Sequence, residues 1–194
     1  MQIYLLRHAE TDYTKVSRIQ GTSDVPLNAE GSIMAAKVGS HAKNLGVTHI
    51  YSATLKRARQ TAEIVNRELG LEIDYDSRLN ERDYGGWTHK LWSDVLKENP
   101  NLNRVWAQEG TAFKPPKGES IDDVVSRTLN FFEELIKHHG QNDRILIVSH
   151  GGPLKIILGY AKGLFKGDYY KQNLLNTCEL IKIAYAGAFS LDEN

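Results

Sequence analysis

The chain has 194 residues, 41% hydrophobic and 25% charged, with 24 basic and 24 acidic side chains that cancel. That length is enough for one domain with a sizeable core, and the charge balance excludes a surface given over to nucleic acid or anionic membrane. A single cysteine, Cys178, excludes an intramolecular disulfide and fits a reducing compartment.

No apolar run approaches the roughly 20 residues of a membrane span. The N-terminus lacks the charged and apolar regions of a signal peptide, so the cytoplasm is the expected location.

In chain order, Ile3–Leu6 is a continuous apolar run of buried-strand type. Asn28 can cap a helix whose apolar positions include Ile33, Met34, Val38, Ala42 and Leu45, with Gly46 ending it. "VTHIYS" (47–52) reads as a strand, Leu55 to Leu69 as a helix stopped by Gly70, and "LEIDYD" as a short edge strand. Residues 80–119 are irregular; with Trp87, Trp92, Trp106 and Pro115-Pro116 they read as an insertion or lid beside a site. Ser120 can cap a long helix with Ile121, Val124, Val125, Leu129, Phe132, Leu135 and Ile136 on one face. "RILIVS" (144–149) is a second fully apolar strand and "ELIKIAYA" (179–186) the last one, with Cys178 entering it as a buried, inert thiol. Strands alternating with helices predict a three-layer α/β/α sandwich around a mostly parallel sheet, here a single domain over 1–194.

In such sheets ligands bind beyond the carboxyl ends of the strands, so the residues just past each strand matter most. The first strand runs into Arg7-His8. The second ends at Ser52, with Arg57 a helical turn on, and "RILIVS" leads into His150-Gly151-Gly152. Two arginines and two imidazoles suit a compact dianion, of which phosphate is the obvious one. The guanidinium forks of Arg7 and Arg57 match its oxygens, and Gly151-Gly152 lets backbone N–H groups approach at a helix start. No P-loop, acidic metal cluster or cysteine nucleophile is visible, yet an imidazole nitrogen can accept a phosphoryl group. The leaving alkoxide then needs a proton. Glu81, in the aromatic-rich "RLNERDYGGW", is the candidate acid, because such surroundings favour a protonated carboxyl.

These segments resemble the motifs of the histidine phosphatase superfamily, the phosphoglycerate mutase-like proteins. "LLRHAET" is similar to its Arg-His-Gly-Glu/Gln-Thr/Ser signature. "RIQGTSDVPLNAEG", "YSATLKRARQTAEI", "LNERDYGGW" and "VSHGG" come after it in family order.

The resemblance implies that His8 becomes phosphorylated. Arg7 and Arg57 would clamp the phosphoryl oxygens, His150 would hydrogen-bond them, and Glu81 would act as acid and then base. It also implies that Gln20, Gly21, Thr14 and the Gly151 N–H contribute to substrate binding, with no metal and no cofactor. Ala9 stands where the family usually has Gly, which the chain tolerates if φ there is negative. Thr14 replaces a frequent Asn, and Thr88-His89 replaces a frequent Glu-Gly.

Some features read more simply. His138-His139 close a helix C-terminus as cations meeting its dipole. His41, His49 and His89 show no metal-ligand spacing, and the tryptophans and Tyr169-Tyr170 read as packing or surface.

The expected activity is hydrolysis of a small phosphorylated metabolite. The alternatives are a phosphoglycerate mutase and a weakly catalytic phospho-ligand-binding module. "LNERDYGG" is close to the mutase acid loop, but no Arg-Arg pair lies between Glu81 and His150. A pure binder would need no proton donor.

Overall fold

The computed structural model of the protein describes residues 1–171 and 175–191. The strands among them are β1 (Gln2–Arg7), β2 (His49–Ser52), β3 (Ile73–Tyr75), β4 (Arg144–Ser149), β5 (Leu180–Tyr185) and β6 (Phe189–Leu191). They form one sheet in the order β3-β2-β4-β1-β5-β6. β1, β2, β3 and β4 run parallel, while β5 and β6 are antiparallel additions at one edge. The β5–β6 hairpin corrects the reading of 179–186 as the last strand. Period-two alternation is weak in "AGAFSL", and Phe189 is fixed there by stacking on Phe132 at 5.7 Å.

The central strands are apolar on both sides because helices cover both faces. Ile3, Leu5, Ile145 and Ile147 pack toward α6 (Ile121–His138) and α7 (Gly151–Ala161). Tyr4, Leu6, Leu146 and Val148 pack toward α2 (Ala29–Ala42) and α3 (Lys56–Asn66). Each such side chain, fully buried, contributes roughly 1.5–3 kcal/mol. Ser120 starts α6 with a reciprocal capping box to Asp123, as its sequence position predicted.

The helix after Asn28 begins where expected, and Val38, Ala42 and Leu45 pack on the core as expected, but small residues make up its fully buried face. Its inward residues are Gly31, Ala35, Gly39 and Ala42, while Ile33 is 51% exposed. Small residues win because α2 lies close on α3: a Cβ at Gly39 would stand 3.2 Å from the Val65 backbone.

Residues 80–119 carry α4 (Trp92–Glu98) and α5 (Leu102–Glu109) over their own small core of Ile19, Trp87, Val95, Leu102 and Phe113. Trp92 and Trp106 stack at 5.6 Å against it. One short helix, α1 (Asp12–Lys15), comes after β1. No helix among the described residues is long and apolar enough to cross a membrane.

Cys178 lies in the turn before β5, not within the strand. Its φ is +59°, and its N–H donates to the Arg7 carbonyl at 3.1 Å. Burial pushes the thiol up to about 12, so it is inert at neutral pH.

Candidate active site

The pairing register of β1 and β4 builds the site. Gln2 faces Arg144 and Arg7 faces Ser149, so the next residues, His8 and His150, leave the sheet side by side. The His8 N–H donates to the Ser149 carbonyl at 2.9 Å, and the two rings lie 5.2 Å apart. His8 is 2% exposed and His150 is fully buried.

His8 Nδ1 lies 2.8 Å from the Ala9 carbonyl, which can only accept. The proton therefore sits on Nδ1, and Nε2 keeps its lone pair. Ala9 does not have positive φ; its N–H donates to Thr61 Oγ1, so the methyl in place of Gly is accommodated without strain.

Arg57, in the first turn of α3, is fully buried. Its Nη1 and Nη2 donate to the carbonyls of Ser23 and Gly21, each at 2.8 Å. Gly21 has φ +52° and Thr88 and Tyr84 close against it, so this carbonyl depends on glycine. Arg7 Nη1 donates to the Leu175 carbonyl at 2.5 Å. The Nε atoms of both arginines and both ring nitrogens of His150 are buried without a protein partner. So many buried, unpartnered polar atoms close to one cleft suit an anion with several oxygens.

Glu81 faces this group across a cleft of about 540 Å³ lined by Arg7, His8, Gln20, Gly21, Arg57 and Gly151, among others. Its Oε1 accepts from the Arg82 N–H at 2.9 Å and its Oε2 from the Gly152 N–H at 3.4 Å. A Cβ on Gly152 would meet Glu81 Oε1 and Tyr170 Oη, each at 2.5 Å, so a side chain there would push both groups out of place.

The loop itself is tied to α6 by Arg127. Its guanidinium donates to the carbonyls of Arg78, Asn80 and Glu81 and pairs with Glu119. Buried Arg82 reaches the carbonyls of Glu119 and Phe113 at 2.8 Å.

The structure thus places His8, Arg7, Arg57, Glu81, Gln20, Gly21, Thr14 and Gly151 along one cleft. His150 is not among the residues lining the cleft; it is fully buried, with its ring 5.2 Å from that of His8 and both ring nitrogens without a protein partner. Gln20 Oε1 accepts from the Thr11 hydroxyl at 3.1 Å, and the residue lines the cleft. Thr14 spends its hydroxyl on the Thr11 backbone in a capping box.

Sequence reading missed Lys155, Tyr170, Tyr84 and Arg18 in the cleft wall. Lys155 sits one helical turn after Gly151, a spacing that could have flagged it. The reading of Tyr169-Tyr170 as packing or surface holds for Tyr169, at 5% exposed, and for Tyr170, which packs against the same cluster but also lines the cleft. The Tyr170 hydroxyl is buried, unpartnered and beside Glu81. Burial, with the Glu81 charge behind it, raises Tyr170 well above the usual phenol, so it keeps its proton.

His8 and His150 are both held well below the usual histidine range, first by burial and then by the Arg57 charge. An unfolded chain protonates each ring as pH falls through about 6.5, whereas the folded chain does not. The unfolded state then binds more protons, so stability falls as pH drops below that value. The expected slope is up to about 2.7 kcal/mol per pH unit for the two rings together. Urea midpoints taken from about pH 7.5 down to about 5.5 read it directly, and a flat profile would mean that the rings accept protons in the folded state.

Fold and cleft together define a class: an α/β protein that sets two imidazoles and two guanidiniums around one small volume at the carboxyl edge of a parallel sheet. The sequence model of the histidine phosphatase superfamily (branch 1) matches residues 3–190. The chain belongs to that superfamily.

It is 36% identical over 185 residues to the probable phosphoglycerate mutase GpmB of Escherichia coli (strain K12 / DH10B), a match covering 95% of this chain and 85% of that protein. Among solved structures, YhfR of Bacillus stearothermophilus superposes with a TM-score of 0.87 at 28% identity, over 98% of this chain and 95% of that one. A mycobacterial glucosyl-3-phosphoglycerate phosphatase in complex with VO3 gives 0.88 at 25% identity, over 98% and 96%.

Proposed function

We propose that the protein is a metal-independent phosphomonoesterase that hydrolyses a small phosphorylated metabolite through a phosphohistidine on His8. The observation that carries this reading is the fixed tautomer of a buried His8, whose Nε2 lone pair opens on a cleft shared with Arg7, Arg57 and Glu81.

In the first step Nε2 attacks phosphorus in line with the ester oxygen, and the P–O bond breaks. Arg7 and Arg57, with the Gly151 backbone N–H, take up the charge on the equatorial oxygens, and the unpartnered ring of His150 beside His8 is assigned a further N–H to the same group. Protonated Glu81 gives its proton to the leaving alkoxide. Ionised Glu81 then takes a proton from water as that water attacks phosphorus, and the P–N bond returns its electron pair to His8.

A second reading, a phosphoglycerate mutase, draws support from the GpmB relationship and from the likeness of the "LNERDYGG" segment to the mutase acid loop. A mutase must shelter phospho-His8 from water. Against it stands the lack of an adjacent arginine pair between Glu81 and His150.

One experiment separates these. The purified protein is assayed against a phosphometabolite panel with and without chelator, and phosphoglycerate isomerisation is followed in parallel. Phosphate release that is indifferent to chelator is the expected result. Isomerisation outpacing release would replace hydrolase by mutase, and activity restored only by divalent metal would reject the mechanism.

A further inference from the structure

At the opposite end of the sheet, where β2 and β4 begin, His49, His139 and Asp143 converge. One ligand atom from each lies within 4.8 Å of the others. We propose that these three side chains form a binding site for a divalent transition ion of the zinc class, remote from the phosphate cleft.

The residues lie far apart in sequence. His49 opens β2, His139 comes directly after α6, and Asp143 immediately precedes β4. Parallel pairing of β2 with β4 brings the first and last together, with His49 in register with Ile145. The two imidazoles meet at 4.5 Å between ring centres, inclined at 71°. His139 Nδ1 and Asp143 Oδ2 stand 3.0 Å apart, close to the spacing of neighbouring ligands on one ion. Two imidazoles and one carboxylate, with room for water, are a donor set suited to zinc, cobalt or nickel.

The surrounding bonds supply what a ligating histidine needs on its other nitrogen. His49 Nδ1 lies 2.9 Å from Thr48 Oγ1, which leaves Nε2 for the ion. His139 Nε2 lies 2.9 Å from the Tyr51 hydroxyl. That hydroxyl can donate or accept. In the metal-free protein the His139 proton on Nδ1 goes to Asp143; with an ion on Nδ1, the proton moves to Nε2 and is received by Tyr51. Asp143 Oδ2 is further oriented by the Gly140 N–H at 2.9 Å. Ligand atoms on a tetrahedral ion stand about 3.4 Å apart, so closure asks the His49 side chain to swing by roughly an ångström. The His49 ring is held through Nδ1 by the adjacent Thr48, a local bond that leaves that swing available.

The ion would tie the C-terminus of α6 to the starts of β2 and β4, a structural staple with no part in phosphoryl transfer. Sequence spacing could not show it, because His49 and His139 belong to different elements and His138-His139 read as a helix cap. His138 does keep to its helix, bonding the Glu134 carbonyl at 2.8 Å.

The test uses untagged, chelator-treated, full-length protein titrated with Co²⁺ and then Zn²⁺. One equivalent of Co²⁺ should bind with the visible d–d absorption of a low-symmetry site and be displaced by Zn²⁺. Zn²⁺ at about a hundredfold over its Kd should raise Tm by about 5–10 °C. H49Q and D143N should each lose the Co²⁺ spectrum and the Tm shift, while H41Q on the exposed face of α2 should keep both. No saturable Co²⁺ binding to the parent protein, or a spectrum and shift that survive in H49Q and D143N, would overturn the proposal. Hydrolysis is not the readout, so the result stands apart from the catalytic reading.

Discussion

Replacing His8 by alanine should lower turnover of an aryl phosphate by about 10⁴-fold or more and abolish an acid-labile phosphoenzyme. A factor of that size is about 5.5 kcal/mol of barrier. It is expected because no neighbouring group can take over. His150 is fully buried and does not line the cleft, Cys178 holds its proton at neutral pH, and the Tyr170 phenol is raised well above its ordinary value. The arginine clamp would remain, so substrate should still bind; loss in kcat with KM nearly kept is the signature of a missing nucleophile. Rapid acid quench with labelled substrate detects the intermediate in the parent protein and its absence in H8A. If H8A turns over near the parental rate, phosphorus is attacked by another group and the phosphohistidine scheme fails.

Glu81→Gln should show a loss that depends on the leaving group. For alkyl phosphates, whose alkoxide must be protonated as it departs, kcat/KM should fall about 10²–10⁴-fold. For a nitrophenyl phosphate, whose phenolate leaves without a proton, the same ratio should fall only a few-fold. The ratio kcat/KM is the right quantity because it reports steps up to the first irreversible one, whereas kcat also includes the hydrolysis of phospho-His8, which needs the carboxylate as base. Glutamine keeps the size of the side chain and one oxygen to receive the N–H of Arg82 or Gly152, so the loop held by Arg127 should stay in place. A uniform loss across the leaving-group series would remove Glu81 from the role of acid and leave it as an orienting group.

Much of this site was legible from residue order. A buried strand announces itself by a run of apolar residues, and a parallel sheet presents ligands at the strand ends. Arg7-His8 and His150-Gly151-Gly152 could therefore be assigned to one edge before any pairing was known. Helix α6 was equally readable, since a capping serine and a 3.6-residue apolar stripe are local signals. The errors came where local pattern and tertiary context diverge. In α2 the apolar Ile33 is exposed and glycines face inward, because the demand there was close approach, of Gly39 to α3 and of Gly31 to the Glu10 backbone, and not hydrophobicity. The place of Tyr170 in the cleft could not be read, because nothing in its neighbourhood along the chain refers to Glu81, 89 positions before it.

By itself the sequence determined the strands other than β6, the helices outside residues 80–119 and which residues stand at strand ends, since these arise from periodicity and capping within a few residues. Only the tertiary structure decided that His8 and His150 lie 5.2 Å apart, that Arg127 anchors the Glu81 loop, that Tyr170 and Lys155 complete the cleft, and that His49 meets His139. Those placements depend on strand register and helix docking between segments tens to well over a hundred residues apart. Such contacts are set by the burial of whole faces against one another, which no local spacing encodes.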